Sequence, residues 1–145
     1  MRAVVGGDPA AGAHFIKVVS ADLWSVVTKL VGDGNEGEEA FLHVVASLKA
    51  NGYARLKAFD GRARLCTFVS LVARDILAER LATRFSEAPH DAWHQFQRFF
   101  ERDIRRRVEQ RLGNSCSAAA REDAYQEICL KLVENDFRCV RAYDG

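Results

Sequence analysis

The chain has 145 residues, of which 48% are apolar and 28% charged, and its formal net charge is +1. This composition excludes a disordered segment and fits one domain or a pair of small subdomains sharing a core. The near-zero net charge gives no whole-molecule argument for nucleic acid, so any such case rests on local patches.

Two prolines and few alternating β-branched stretches predict an all-α protein. Cysteines at 66, 116, 129 and 139 show no C-x-x-C spacing, which reads as reduced, mostly buried thiols and not as a disulfide framework. The N-terminus has no cationic-then-apolar leader, and no apolar run approaches the roughly 20 residues of a membrane span. The expectation is a cytoplasmic protein without a membrane segment.

In chain order, residues 1–7 carry little signal. Asp8-Pro9 predicts a helix start, with the aspartate as cap and proline at the first helical position. Phe15, Val18, Val19, Leu23, Val26, Val27 and Leu30 recur at helical spacing, and Gly32 closes that helix. Asn35 is the expected cap of the second helix, with Glu38 in capping-box position. Phe41, Val44, Val45 and Leu48 form its apolar face, and Asn51-Gly52 stops it. Tyr53, Leu56 and Phe59 lead to the turn dipeptide Asp60-Gly61. A long third helix carries Leu65, Phe68, Val69, Val72, Ile76, Leu77 and Leu81 and ends near Arg84. The fourth, opened by Pro89, has Trp93, Phe96, Phe100, Ile104, Val108 and Leu112 as its stripe. Ser115 or Ser117 caps the fifth, which presents Tyr125, Ile128 and Leu132.

The chain also repeats itself. At an offset of 84, Asn135-Asp136-Phe137 falls on Asn51-Gly52-Tyr53 and Ala142-Tyr143-Asp144-Gly145 on Ala58-Phe59-Asp60-Gly61. Glu122, Ala124 and Leu132 fall on Glu38, Ala40 and Leu48. The first and fourth helices correspond at an offset of 81, and the longer loop Gly113 to Ser117 accounts for the difference. The expected organisation is a full copy over 8–86 and a partial copy over 87–145 that stops where the long third helix would begin.

No catalytic constellation emerges, and the chain reads as a non-enzyme without cofactor or metal. His90 and His94 have the spacing of a zinc pair, but the intervening residue is Asp91 where the catalytic motif has glutamate, and no third ligand follows. They read as solvated histidines at a helix start. No Gly-rich phosphate loop or triad order is present. Arg98 to Arg111 holds six arginines (98, 102, 105, 106, 107 and 111) against Glu101, Asp103 and Glu109. Arg102, Arg105, Arg106 and Arg107 thus form a basic patch, read equally as a grip on phosphates or an acidic partner and as a solvated face laced with i,i+4 pairs. Phe59, Arg62, Arg64 and Phe68 interleave aromatic and basic side chains around a glycine turn, a combination that suits unstacked bases and phosphate, although core packing also explains the two rings.

Several of these stretches together resemble a known module. Gly7-Asp8-Pro9-Ala10-Ala11, Phe59-Asp60-Gly61-Arg62-Ala63-Arg64-Leu65-Cys66-Thr67-Phe68 and Leu71-Val72-Ala73-Arg74-Asp75-Ile76-Leu77-Ala78-Glu79-Arg80-Leu81 are similar to region two of the extracytoplasmic-function sigma factors of bacterial RNA polymerase. Arg121-Glu122-Asp123-Ala124-Tyr125-Gln126-Glu127-Ile128 resembles that family's polymerase-binding helix, an acid followed three residues later by Gln-Glu. The resemblance covers nearly the whole chain as one and a half copies. It implies a helical bundle of about five helices that docks on the clamp of core RNA polymerase and melts the promoter −10 element. Residue by residue, it assigns Asp123, Gln126 and Glu127 to polymerase. It assigns Phe59, Arg62, Arg64 and Phe68 to the melting turn, and Arg74, Arg80 and Arg84 to the DNA-reading helix.

The departures from the family are specific. The first copy has Leu42-His43 where the pattern has Gln-Glu, and its reading helix mixes Asp75 and Glu79 among the arginines. The second copy keeps the clamp pattern but not the melting turn or reading helix, and no helix-turn-helix follows. The resemblance therefore implies a transcription initiation factor of the sigma type, or its N-terminal part, with core polymerase and promoter DNA as partners. A sigma mimic that binds polymerase or an anti-sigma factor without reading DNA is the alternative, and a self-associating domain completed by a second copy is the third reading.

Overall fold

A computed structural model describes the backbone of residues 2–113 and 115–141, with the side chains at 2, 135, 136 and 138–141 outside the description. Ala142-Tyr143-Asp144-Gly145 of the repeat, and the Cys139 thiol, therefore lie outside the described residues. Every element described is helical: α1 (Arg2–Val5), α2 (Pro9–Leu30), α3 (Asn35–Tyr53), a 3-10 turn (Ala54–Ala58), α4 (Leu65–Glu87), α5 (Pro89–Leu112) and α6 (Ala118–Arg141). The protein is all-α. It divides into two compact units, Met1–Arg80 and Leu81–Gly145, with the boundary inside α4.

In the first unit, Asp8 caps α2 by accepting from the N–H groups of Ala10 at 2.9 Å and Ala11 at 3.3 Å, so two orphan donors of the first turn are satisfied. Phe15, Val19, Leu23 and Val27, one turn apart, are the buried stripe. Val18, which the spacing placed beside them, is exposed. Among the described residues α2 is also the helix long and apolar enough, by length and composition, to cross a membrane, which the sequence reading had not recognised. Its apolar stripe is turned inward, while His14, Lys17, Asp22 and Lys29 line exposed positions.

α2 packs on α3, and the short α1, unforeseen in the sequence, packs on both with Val4 buried. The cap of α3 differs from expectation. Gly34, not Asn35, is the residue before the helix, and no side chain caps it; its carbonyl accepts from the Glu38 N–H at 3.1 Å. The capping box is absent because Asn35 has already entered the helix. Gly37 sits directly against the carbonyl of Gly32, so the α2–α3 corner closes only because position 37 has no side chain. Ala40, Val44 and Leu48 are fully buried along α3.

Helical geometry breaks at Ala50, and Asn51, Gly52 and Tyr53 all adopt left-handed backbone, with φ of 50°, 63° and 60°. The Tyr53 ring meets Phe15 edge-on, centroids 6.0 Å apart, and its hydroxyl occupies the space over Gly12 where a Cβ would stand 2.6 Å away. Within this unit Arg80 of α4 pairs with Glu39 at 3.4 Å and Glu79 with Arg55 at 2.6 Å. Val69, Ala73, Ile76 and Leu77 are the buried residues of this part of α4, which runs on to Glu87 instead of ending near Arg84.

In the second unit α5 packs on α6. Ser117 caps α6, its hydroxyl accepting from the Ala120 N–H at 3.1 Å. Ala92, Phe99 and Val108 are the buried non-proline residues of α5; Trp93, Phe96, Phe100, Ile104 and Leu112 are half-buried. Phe137 has φ of 59°, matching its repeat counterpart Tyr53, and is 1% exposed. Phe85, His90 and Trp93 surround it with centroids at 5.0, 5.3 and 5.4 Å. His90 and His94 are exposed, as expected of solvated histidines at a helix start, and the His90 ring rests edge-on against Phe137. Of the thiols, Cys129 is buried, Cys116 half-buried and Cys66, against the expectation for the group, exposed.

The Gly32–Gly37 contact makes a direct prediction. Gly37→Ala should lower stability by about 1–3 kcal/mol, because the obstructing atom is backbone and cannot rotate aside. Gly34→Ala, with open space around position 34, should change it by less than about 0.5 kcal/mol. Urea midpoints of the two variants measure the contrast.

Candidate functional site

The repeat provides a common frame for the sites. At the matched positions Trp24 and Phe41 of the first unit form an edge-on aromatic pair, centroids 5.6 Å apart. In the second unit Arg105 and Tyr125 occupy those positions, with the guanidinium carbon 3.9 Å from the ring centroid. The same guanidinium donates from Nε to Glu101 at 2.8 Å and from Nη1 to Glu122 at 2.6 Å. Glu122 in turn accepts from Gln126 Nε2 at 2.9 Å. An apolar contact has become a polar chain running from α5 onto the surface of α6.

That chain ends in the expected polymerase-facing group. Asp123, Gln126 and Glu127 are all exposed on one face of α6, as positions i, i+3 and i+4 require. Leu130, one turn on, is 66% exposed among them. Lys131 pairs with Glu127 at 2.9 Å. The Arg105 and Gln126 hydrogen bonds hold the Glu122 carboxyl below its usual value, and the Lys131 ammonium does the same for Glu127. Burial, then the Cys129 contact, pushes the Tyr125 phenol up to about 12.

The flank of α6 next to this face is less covered than its counterpart. Ala40, Val44 and Leu48 are buried in the first unit. The matching Ala124 and Leu132 are half-buried, and Ile128 is 37% exposed.

The residues expected to contact DNA separate into two groups. In the turn, Arg62 is 91% exposed and Arg64 is exposed. Asp60 organises the loop, accepting from the Arg62 N–H at 3.0 Å and pairing with its side chain at 3.4 Å, while Gly61 takes φ of 80°. Phe59 and Phe68 pack on each other, centroids 5.1 Å apart, each half-buried. On α4, Arg80 is bound to Glu39 with its side chain 18% exposed, and Arg84 donates to Gln95 at 2.9 Å. Arg74 is half-buried and has an interaction of its own. Arg80 and Arg84 are therefore engaged within their own units, and the turn arginines point to solvent.

Of the basic patch, Arg105 is committed to Glu101, Glu122 and Tyr125, whereas Arg102, Arg106 and Arg107 are exposed. The sequence reading grouped Arg105 with the others because pairing to α6 is invisible in one helix; only its i,i+4 relation to Glu101 was visible. No group of three or more His, Cys, Asp or Glu side chains arranged for a metal occurs among the described residues. No family model, no curated protein and no solved structure matches the chain.

The Arg105–Glu122 pair predicts a pH signature. Because the folded carboxyl titrates below its unfolded value, its stabilisation is present above the ordinary carboxylate pKa of about 4.3 and disappears as pH falls through the folded value. Glu122→Gln should remove that part of the acid-dependent loss of stability, measured as urea midpoints between neutral pH and pH 3. An unaltered pH dependence would count against the pair.

Proposed function

We propose that the chain is a sigma-type module that docks on core RNA polymerase through α6, with Asp123, Gln126 and Glu127 as the contacting side chains. The observation that supports this best is the exposed row on α6 whose central member, Gln126, is oriented by Glu122 and, through it, by Arg105. A side chain held in place before binding loses less rotamer entropy on association. Leu130, exposed within the same row, supplies apolar contact area. Such a factor works in the cytoplasm and performs no catalysis of its own, and an anti-sigma factor would compete for the same face.

Under the sigma reading the Phe59–Phe68 turn contacts single-stranded −10 DNA through Arg62 and Arg64. A second reading, the mimic that docks on polymerase without reading promoters, is favoured by the pairing of Arg80 with Glu39 and of Arg84 with Gln95. These two side chains are the family's reading positions, and here they serve intramolecular contacts.

Pull-down with core polymerase tests the docking claim. The double variant Asp123→Ala, Gln126→Ala should bind about tenfold or more weakly; unchanged capture would refute the assignment. Fluorescence titration separates the two readings. A −10-like strand bound in preference to a scrambled one, with the preference lost in Arg62→Ala, Arg64→Ala, identifies a sigma factor. Absence of any preference identifies the mimic.

A further inference from the structure

We propose that the outward face of the C-terminal half of α5 binds the phosphate backbone of nucleic acid without regard to sequence. The face consists of Arg102, Arg106, Arg107, Gln110 and Arg111, all exposed. Its four arginines make no hydrogen bond or ion pair among the described residues. Of the nearby acids, Glu101 is taken by Arg105, Asp103, at i,i+3 and i,i+4 spacing to Arg106 and Arg107, is half-buried with an interaction of its own, and Glu109 stands at the rim.

The spacing suits a row of phosphates. Arg102 and Arg106 are one helical turn apart, as are Arg107 and Arg111, so each pair advances about 6 Å along the axis, of the order of the separation between neighbouring phosphates on a strand. Arginine presents a planar fork to phosphate and is less strongly hydrated than lysine. The charge is a property of this copy and not of the fold, since the matched positions in α2 are Ala21, Ser25, Val26 and Leu30. The face also has no aliphatic or aromatic residue. Protein interfaces draw their energy from such anchors, whereas phosphate contacts release counterions and need none. A nucleic acid is therefore a better match than an acidic protein. The inference does not rest on the polymerase reading.

The test is binding of the full chain to a labelled duplex of arbitrary sequence, followed by anisotropy between about 50 and 200 mM salt. Four phosphate contacts should give a slope of log K against log salt of about −3.6. Replacing all four arginines by glutamine should flatten the slope by about 1 per residue and abolish binding at low salt. The four-lysine variant, with charge retained, should keep most of the slope. Arg62→Ala, Arg64→Ala should leave it unchanged, which separates this face from the turn. A flat slope for the parent chain, undiminished binding by the glutamine variant, or tighter binding of a polyglutamate peptide than of the duplex would overturn the proposal.

Discussion

Both units of this protein depend on an aromatic residue held in left-handed backbone. Tyr53 and Phe137 have φ of 60° and 59°, a region that costs an ordinary L-residue about 1–2 kcal/mol. The conformation persists because it delivers a ring back toward the helices that precede it. Tyr53 reaches Phe15 and the space over Gly12; Phe137 closes a cluster of Phe85, His90 and Trp93. The two solutions differ in what lies against the ring. Where the first unit sets Gly12 beneath a tyrosine, the second sets Trp93 at the matched position beside a phenylalanine.

On this shared frame the copies have diverged in what they expose. The first unit closes its helix pair tightly, with Gly37 on the Gly32 carbonyl, an aromatic pair at Trp24 and Phe41, and α3 dry along Ala40, Val44 and Leu48. In the second unit the connecting loop is longer, and Arg121 occupies the position of Gly37. There Arg105 replaces the tryptophan and collects two carboxylates and a ring. Each interaction is partly exposed and individually modest, but together they orient Gln126 at the surface. The same guanidinium also takes up Glu101.

Local features of this fold were legible in the sequence. The Asp8-Pro9 cap, the break at Asn51-Gly52, the cap at Ser117 and the helical periods are set by backbone propensities that act within a few residues. The repeat was legible too, and the left-handed pair at 53 and 137 extends it from residue types to backbone conformation. Features that depend on another element were not. Val18 satisfies the helical period but faces outward, and Asn35 has entered the helix instead of capping it. Arg80 and Arg84, which the resemblance assigns to DNA, have partners in Glu39 and Gln95 that no one-dimensional reading brings near them. The Arg105 network was hidden for the same reason, as its decisive partner lies across the α5–α6 contact.

The account rests on the two units being versions of one motif closed by the same strained turn. Backbone couplings and intraresidue HN–Hα Overhauser effects at Tyr53 and Phe137 measure this directly in solution. Left-handed values at both residues are the predicted result. A right-handed helical conformation at Phe137 would contradict the claim, because the second unit would then reach its aromatic core by a different route and the equivalence of the copies would end at the level of sequence.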